Sequence, residues 1–335
     1  MLFSFEFGLA VLAVFLSSFL VTFLVTPPLI RKMSARGLVG KDMNKIEKPE
    51  IPELGGIPIL LGAAFAVSVS IFIFTYVGFL DFDLPIFLAS TLTIFLVGFI
   101  GIVDDLVGWK KGIRQWQHAL FPLFAALPLM AVQAGTDFVV LPFFGGISIG
   151  ILYSLLLVPI GITGASNAFN MLAGFNGLEA GLGLIIITTL SAVAFFDGRT
   201  EALLLGIAII GALLAFMKFN WFPAKVFGGD SLTLMIGASV AAISIIGNME
   251  KVGISIIALH WIELALKGRK KFQTESFGIP QKNGLLSAPK EITSIPHVVL
   301  RYFGPMHEKK VVKIILGMQF VVAISVFTLF YFNLF

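Results

Sequence analysis

Long apolar stretches, separated by charged or Pro- and Gly-rich breaks, make up most of this chain. A bilayer core about 30 Å thick needs about 20 apolar residues for one helix to cross it. Ten stretches of suitable length are present: 3–30, 57–80, 84–103, 119–133, 150–169, 178–196, 201–219, 231–247, 252–266 and 311–334. The pattern therefore predicts an all-α polytopic membrane protein with ten transmembrane helices, forming one domain over residues 1–335.

Proline interrupts two of these stretches. Pro122 and Pro128 lie in the fourth and Pro159 in the fifth, which predicts kinked helices packed inside the bundle. Between them, residues 137–149 are β-branched, short and broken by glycine, which favours a small surface hairpin.

Basic residues are distributed unequally between the two ends of the predicted spans. With ten spans, all but Arg199 and Lys251 of the 23 basic residues lie in or beside the connections on one face. The positive-inside rule makes that face cytoplasmic and puts both termini outside. The longest connection, 267–310, is then cytoplasmic, and loops of that length in compact bundles are usually functional.

Composition narrows the class of protein further. Apolar residues make up 58% of the chain and charged residues 13%, against about 25% charged in soluble domains. This excludes a soluble globular or a disordered protein. The absence of cysteine excludes disulfides, thiolate metal sites and a Cys nucleophile. The net charge of +4 is too small to indicate nucleic acid.

Two adjacent acids end the third span. Asp104 and Asp105 would be solvated at a helix end in the simplest interpretation, but a helix C-terminus repels anions, so the pair favours a metal ion or a basic partner. Lys110, Lys111 and Arg114 follow closely and could contact phosphate.

The segment NAFNMLAGFNGLEAG, 167–181, carries three amide side chains in an apolar context. Asn167, Asn170 and Asn176 alternate with glycines that permit close approach of a ligand to the backbone. A polar turn between two helices would explain the glycines but not the three asparagines.

The segment KVFGGDSLTLMIGA, 225–238, offers an isolated acid. Asp230 follows Gly228 and Gly229 and could simply be a helix N-cap. It would nevertheless lie on the same face as Asp104, Asp105 and Asn170, and converging oxygen ligands suit Mg²⁺. His260 and Glu263, inside the ninth span, are either a proton relay or groups that satisfy each other or a neighbour.

Together these segments resemble a known family. The order DD, NAxNxxAGxNGLExG and FxGDS, with an early KDMNKIEKPEIPELGG and a late GPMHE, is similar to the polyprenyl-phosphate N-acetylhexosamine-1-phosphate transferases. The similarity is greatest to the eukaryotic and archaeal type that makes GlcNAc-pyrophosphoryl-dolichol. Bacterial relatives usually have Asp at the positions of Ala173 and Asn176, and a His-rich motif in the last cytoplasmic loop; this chain has neither.

The resemblance implies a role for each matching residue. Asp230 and Asn170 would hold Mg²⁺, with Mn²⁺ as the alternative ion, while Asp104 and Asp105 would lie beside the lipid phosphate. The implied substrate contacts are Asn176 and Phe227 on uracil, Lys110 and Arg114 on phosphate, Arg269, Lys270 and Lys271 near pyrophosphate and sugar, and Asn167 and His307 as further contacts.

The implied reaction is transfer of GlcNAc-1-phosphate from UDP-GlcNAc to polyprenyl or dolichyl phosphate, releasing UMP, as in the first membrane step of N-glycosylation. Its partners would be both substrates and membrane lipid, with a homodimer allowed. The membrane would be the cell membrane in a prokaryote and the endoplasmic reticulum in a eukaryote, with the site on the cytoplasmic side. Transfer of another N-acetylhexosamine-1-phosphate, a nucleotide-sugar transporter and a non-catalytic lipid-binding protein are the alternatives.

Overall fold

The computed structural model describes residues 5–77, 82–107, 115–136, 138–141 and 145–334, and most of them are helical. The helices are α1 Phe5–Ala35, α2 Gly56–Val77, α3 Leu84–Val107, α4 Gln115–Ala125, α5 Leu127–Ala131, α6 Val158–Met171, α7 Leu178–Phe196, α8 Thr200–Asn220, α9 Asp230–Ile246, α10 Glu250–Ile256, α11 Ala258–Gly268, α12 Ile295–Phe303 and α13 Glu308–Tyr331. A π-helical turn, Tyr153–Leu157, leads directly into α6.

Six of the described helices are long and apolar enough to cross a membrane by length and composition: α1, α2, α3, α7, α8 and α13. The remaining four predicted spans fall on shorter or divided helices. These are α4 with α5, the π-helical turn with α6, the 17-residue α9, and α10 with α11. A helical membrane protein is thereby confirmed, whereas the count of ten spans stays a prediction.

The prolines mark the divided helices. The fourth predicted span breaks at Ala126, and Pro128 then occupies the first turn of α5, where a missing N–H costs no helical bond. Pro159 similarly lies in the first turn of α6, immediately after the π-helical turn.

Helix α9 is the centre of the bundle. Every residue from Ser231 to Ile245 is buried, and α2, α3, α6, α7, α8 and α10 all pack against it. By contrast, α1 presents Leu9, Leu16 and Leu24 outward. An apolar stripe of this kind is expected where lipid rather than water surrounds the helix.

Small and hydroxyl residues join the outer helices to the bundle. Ser18 on α1 donates to the carbonyl of Ala208 on α8 at 2.5 Å, and Thr22 donates to the carbonyl of Pro58 on α2 at 3.1 Å. Such contacts suit membrane helices, whose association depends on close packing and interhelical hydrogen bonds.

The helix ends form two rims. The site rim contains the first residues of α2 and α9 and the last residues of α3 and α6, because Asp105 on α3 contacts the start of α9. The opposite rim contains the α2–α3 connection and the start of α8, where Asp83 N donates to Glu201 Oε1 at 2.7 Å. All the candidate segments with described contacts lie on the site rim.

Three antiparallel strand pairs lie in the connections between helices. They are β1 Val39–Lys41 with β2 Glu50–Pro52, β3 Phe138–Leu141 with β4 Gly145–Ser148, and β5 Ile279–Pro280 with β6 Leu286–Ser287. The β3–β4 pair confirms the hairpin predicted within residues 137–149.

The long connection 267–310 is folded. Glu263 on α11 accepts hydrogen bonds from Ser294 Oγ and Ile295 N, both at 2.7 Å, and so caps the N-terminus of α12. Lys267 lies 3.6 Å from the same carboxylate. Glu263 is therefore satisfied by this loop rather than by His260.

His260 has a different environment. It is fully buried and its ring stacks on that of Phe169 at a centroid distance of 4.0 Å. Neither ring nitrogen has a partner among the described residues.

Candidate functional site

Asp105 supplies the N-terminal cap of the central helix. Its Oδ1 accepts from Asp230 N at 2.8 Å and its Oδ2 from Ser231 N at 3.1 Å. These are main-chain donors that α9 cannot satisfy internally, and the positive end of the helix dipole favours the carboxylate. The expected metal ion or basic partner for Asp105 is thus replaced, in the structure, by a helix N-terminus.

Gly229 makes this arrangement sterically feasible. It occupies the N-cap position with φ 69°, and a Cβ at this position would collide with the Asp105 carboxylate. The simple interpretation of Asp230 as the N-cap is therefore wrong, because Asp230 is the first helical residue and the cap comes from α3. Asp104, which precedes Asp105 on α3, is half-buried.

Asn170 lies beside the first turn of α9. Thr233 Oγ1 donates to Asn170 Oδ1 at 3.1 Å, which joins α6 to the helix that carries Asp230. Asn167, one turn earlier, donates from Nδ2 to the carbonyl of Thr163 at 2.8 Å within α6. The structure thus brings both predicted metal ligands to one place in the site rim.

A third acid, Glu53, joins this group. The segment before α2 is paired with the segment before α9: Phe227 N donates to Pro52 O at 2.8 Å, and Gly55 N donates to Phe227 O at 3.0 Å. Burial and the negative charge of Asp230 raise the pKa of Glu53 to about 7. Two carboxylates that disfavour each other's ionisation would be stabilised by a cation.

The donor set fits a hard divalent ion. Carboxylate and amide oxygens are the protein ligands that Mg²⁺ prefers, and it commonly uses one or two carboxylates together with substrate phosphates. Within the described ranges, there is no group of three or more His, Cys, Asp or Glu residues arranged to hold a metal. Asp230 and Asn170 offer two such oxygen ligands, and substrate phosphates would complete the coordination.

A second cluster surrounds Asn176. Asn176 Nδ2 donates to Asp42 Oδ2 at 3.2 Å, and Asn176 N donates to Glu308 Oε1 at 2.9 Å. Lys45 bridges the two acids, pairing with Asp42 at 2.8 Å and also with Glu308. Burial lowers the pKa of Lys45, but Glu308 and Asp42 outweigh it, so the pKa is raised overall.

The loop formed by residues 42–45 also contacts the turn that follows α6. Asn44 Nδ2 donates to Gly174 O at 2.7 Å, and Asn44 Oδ1 accepts from Gly278 N at 3.1 Å. Residues 42–45 consequently connect the turn after α6 to the long connection 267–310. His307 caps α13, and its ring meets Phe222 edge-on at 4.7 Å, with Lys45 Nζ 4.8 Å from the Phe222 centroid.

The basic residues after α11 make their described contacts within the connection 267–310 and not with these two clusters. Arg269 Nη2 donates to Ile292 O at 3.3 Å, and Lys270 pairs with the exposed Glu291 at 2.8 Å. Lys271 is exposed. Lys110 and Arg114 lie outside the described residues.

Sequence reasoning assigned no role to Asp42, Asn44, Lys45, Glu53 or Glu308. The only available signal was that the segments KDMNKIEKPEIPELGG and GPMHE carry these residues and form part of the resemblance. Their roles depend on contacts between residues more than one hundred positions apart, such as Lys45 with Glu308, which no local pattern reveals.

Comparison with known proteins gives consistent similarities. Residues 87–248, which include Asp105, Asn170, Asn176 and Asp230, match the family described as glycosyl transferase family 4. Two archaeal relatives are provisionally named UDP-N-acetylglucosamine–dolichyl-phosphate N-acetylglucosaminephosphotransferase. The one from Saccharolobus solfataricus is 36% identical and the one from Sulfolobus acidocaldarius 33%, each over 94% of this chain and 95% of the relative. A phospho-N-acetylmuramoyl-pentapeptide-transferase of Limosilactobacillus reuteri is 32% identical over 70% of this chain and 74% of its own length.

Proposed function

The chain belongs to glycosyl transferase family 4, and on this premise we propose that it transfers N-acetylglucosamine 1-phosphate from UDP-GlcNAc to a polyprenyl phosphate of the dolichyl type. The products are UMP and GlcNAc-pyrophosphoryl-polyprenol. The substrates follow the names of the two archaeal relatives, whose similarity extends over nearly the whole chain, whereas that of the pentapeptide transferase covers a smaller part.

The observation that carries this proposal is the Asp105 cap. It places the start of α9, and with it Asp230, at the site rim beside Asn170. Because the Asp105 carboxylate already accepts from the first N–H groups of α9, this place suits a pyrophosphate through a divalent cation that Asp230 and Asn170 would share with it. A nucleotide-sugar transporter is expected to bind near the bilayer midplane instead.

In the proposed reaction, an oxygen of the lipid phosphate attacks the phosphorus attached to GlcNAc. A new P–O bond forms as the P–O bond to UMP breaks, and UMP leaves with that electron pair. The protein aligns the two anionic groups and stabilises their charge. Mg²⁺, or Mn²⁺ in its place, held by Asp230 and Asn170, would supply additional charge stabilisation when bound.

We assign the remaining residues on the same basis. Asp104 and Asp105, at the end of α3, lie beside the lipid phosphate, and Asp105 also caps α9. Asn176 and Phe227 recognise uracil. The phosphate and sugar contacts are proposed to come from Lys110, Arg114, Arg269, Lys270, Lys271, Asn167 and His307.

The proposed topology has ten spans, external termini and a cytoplasmic site, because the lipid acceptor and the soluble donor meet only at that membrane surface. A homodimer remains a proposal that mass measurement in detergent would test.

The test measures UMP release by the purified full-length protein with UDP-GlcNAc, with and without polyprenyl phosphate. We expect release that requires both the lipid phosphate and a divalent cation. UMP release without acceptor, or transport of intact UDP-GlcNAc into vesicles, would contradict the transferase.

Asp230→Asn tests the metal assignment. Loss of a charged ligand should reduce turnover on the order of a thousandfold, since several kcal/mol of transition-state stabilisation are lost. Asp197→Asn, an exposed acid on the opposite rim, is the matched control and should retain activity. Near-normal turnover by folded Asp230→Asn protein would rule out the assignment.

A further inference from the structure

The carboxamide of Asn176 is held in one orientation, and this deepens the proposed function, on which the inference rests. Asn176 and Asp42 are 3% and 4% exposed, and Asn176 Nδ2 donates to Asp42 Oδ2 at 3.2 Å. The main chain of Asn176 is fixed separately, because its N–H donates to Glu308 at 2.9 Å.

The chemistry of Asp42 decides which way the amide faces. An ionised carboxylate only accepts hydrogen bonds, whereas an amide has one donating and one accepting end. Asp42 also accepts from Asn44 N at 3.1 Å and from Lys45 Nζ at 2.8 Å, so its carboxylate accepts from three groups that all donate. Rotating the Asn176 amide by 180° would set its oxygen against that carboxylate in a buried place, which is costly.

The other atoms of the amide are directed elsewhere. Asn176 Oδ1 has no hydrogen-bond partner in the part of the chain that the structure describes, and it is not a buried atom. The acceptor Oδ1 and the second N–H of Nδ2 thus stand in a fixed order, next to a turn held by Asn44 and Glu179.

Uracil and cytosine differ in the order of the same two groups. Uracil presents a donating N3–H beside the accepting O4, and cytosine presents an accepting N3 beside the donating 4-amino group. An amide can pair with either base, but only by rotating between the two orientations. We propose that Asp42 is a positioning residue that selects uridine over cytidine nucleotides by fixing the Asn176 amide with its oxygen towards N3–H.

The test is binding of UMP and of CMP to the full-length protein in detergent, measured by calorimetry. Wild-type protein should prefer UMP. Asp42→Asn presents an amide that can donate or accept, so Asn176 can rotate, and the UMP/CMP affinity ratio should fall by at least about tenfold. Asp42→Ser, whose hydroxyl also donates or accepts, should give the same result if Asp42→Asn does not fold.

Two control variants separate positioning from general damage. Lys45→Gln and Glu308→Gln disturb the same network but leave the Asp42 carboxylate facing Asn176 Nδ2. They should weaken both nucleotides alike and keep the ratio. Asp42→Glu, which retains an acceptor-only group, should recover a larger part of the UMP preference than Asp42→Asn does.

Three results would overturn the inference: wild-type protein that binds UMP and CMP equally, an Asp42→Asn ratio equal to that of wild type, or an equal fall of the ratio in Lys45→Gln. Binding does not require turnover, so the outcome is independent of the transfer assay. Selective UMP binding without UMP release from UDP-GlcNAc would contradict the proposed function alone.

Discussion

Among single residues, Asp105 has the most sharply defined contacts in the site, because both of its carboxylate oxygens accept main-chain hydrogen bonds from α9. Gly229 at the N-cap position has no side chain to do this. Asp105→Ala should therefore lower the free energy of unfolding by about 1–3 kcal/mol. Asp105→Asn, which keeps one acceptor, should lower it less.

Thermal unfolding in detergent checks this prediction. Glu47→Ala, which removes an exposed acid before α2, is the control for stability. Unchanged stability of Asp105→Ala with complete loss of turnover would mean that Asp105 acts on substrate and not as a cap.

Glu53 predicts a pH dependence of stability in metal-free protein. Its pKa of about 7 exceeds the ordinary 4.5, owing to burial and then to Asp230. Between these two values the folded protein keeps a proton that the unfolded chain releases, so the free energy of unfolding falls as pH rises from about 4.5 to 7. Glu53→Gln removes this contribution. The free energy of unfolding of the variant, relative to that of wild type, should therefore be higher at pH 8 than at pH 5.

Unfolding at the two pH values in EDTA provides the measurement. Glu50→Gln, on exposed Glu50 of β2, is the matched control and should show no such pH difference. An equal effect of Glu53→Gln at both pH values would contradict the raised pKa of Glu53.

For single residues, the sequence predicted which polar side chains belong to the site better than it predicted which residues they contact. Asp105, Asn170 and Asp230 were selected because such groups are costly in an apolar context, and they do meet in the site rim. That Asp105 caps a helix beginning 125 positions later depends on the packing of α3 against α9, which local patterns do not encode.

At the scale of helices, the hydrophobic pattern predicted where each helix lies better than it predicted whether the helix is continuous. The long helices α1, α2 and α3 follow their predicted spans closely, since about 20 apolar residues in a row leave few alternatives. No proline marks the division of the ninth span into α10 and α11 at Ile257. It becomes intelligible only from the packing of α10 on α9 and α11 on α6.

One buried carboxylate, that of Glu263, joins the connection 267–310 to α11. Glu263 binds the start of α12 and faces Lys267, so Glu263→Gln leaves a buried cation without its charge partner. We expect much faster tryptic cleavage between residues 269 and 290 in this variant. Glu291→Gln, which breaks only the exposed pair with Lys270, should be cleaved at the wild-type rate. Equal rates for both variants would show that the loop is ordered by other contacts.

In the whole molecule, the central helix determines where chemistry can occur. Because α9 is buried from Ser231 to Ile245, substrates can meet it only at its ends, and Asp230 and Asp105 meet at the end in the site rim. The connection between α1 and α2 and the start of α13 are joined beside this end by Asp42, Lys45 and Glu308. In the ten-span topology, the charge asymmetry of the sequence would put most basic residues on the same rim, which suits two anionic substrates.

That asymmetry also predicts which rim faces the cytoplasm, and the natural absence of cysteine makes it measurable. Single cysteines at Glu47 and Lys282 would lie on the site rim, and one at Asp197 on the opposite rim; all three positions are exposed. With sealed vesicles of known orientation and a membrane-impermeant maleimide, we expect the first two to react from the cytoplasmic side and the third only from outside. The cysteine-free parent controls for background. Since an odd number of crossings separates residues 47 and 197 in the ten-span topology, labelling of both from one side would exclude that topology.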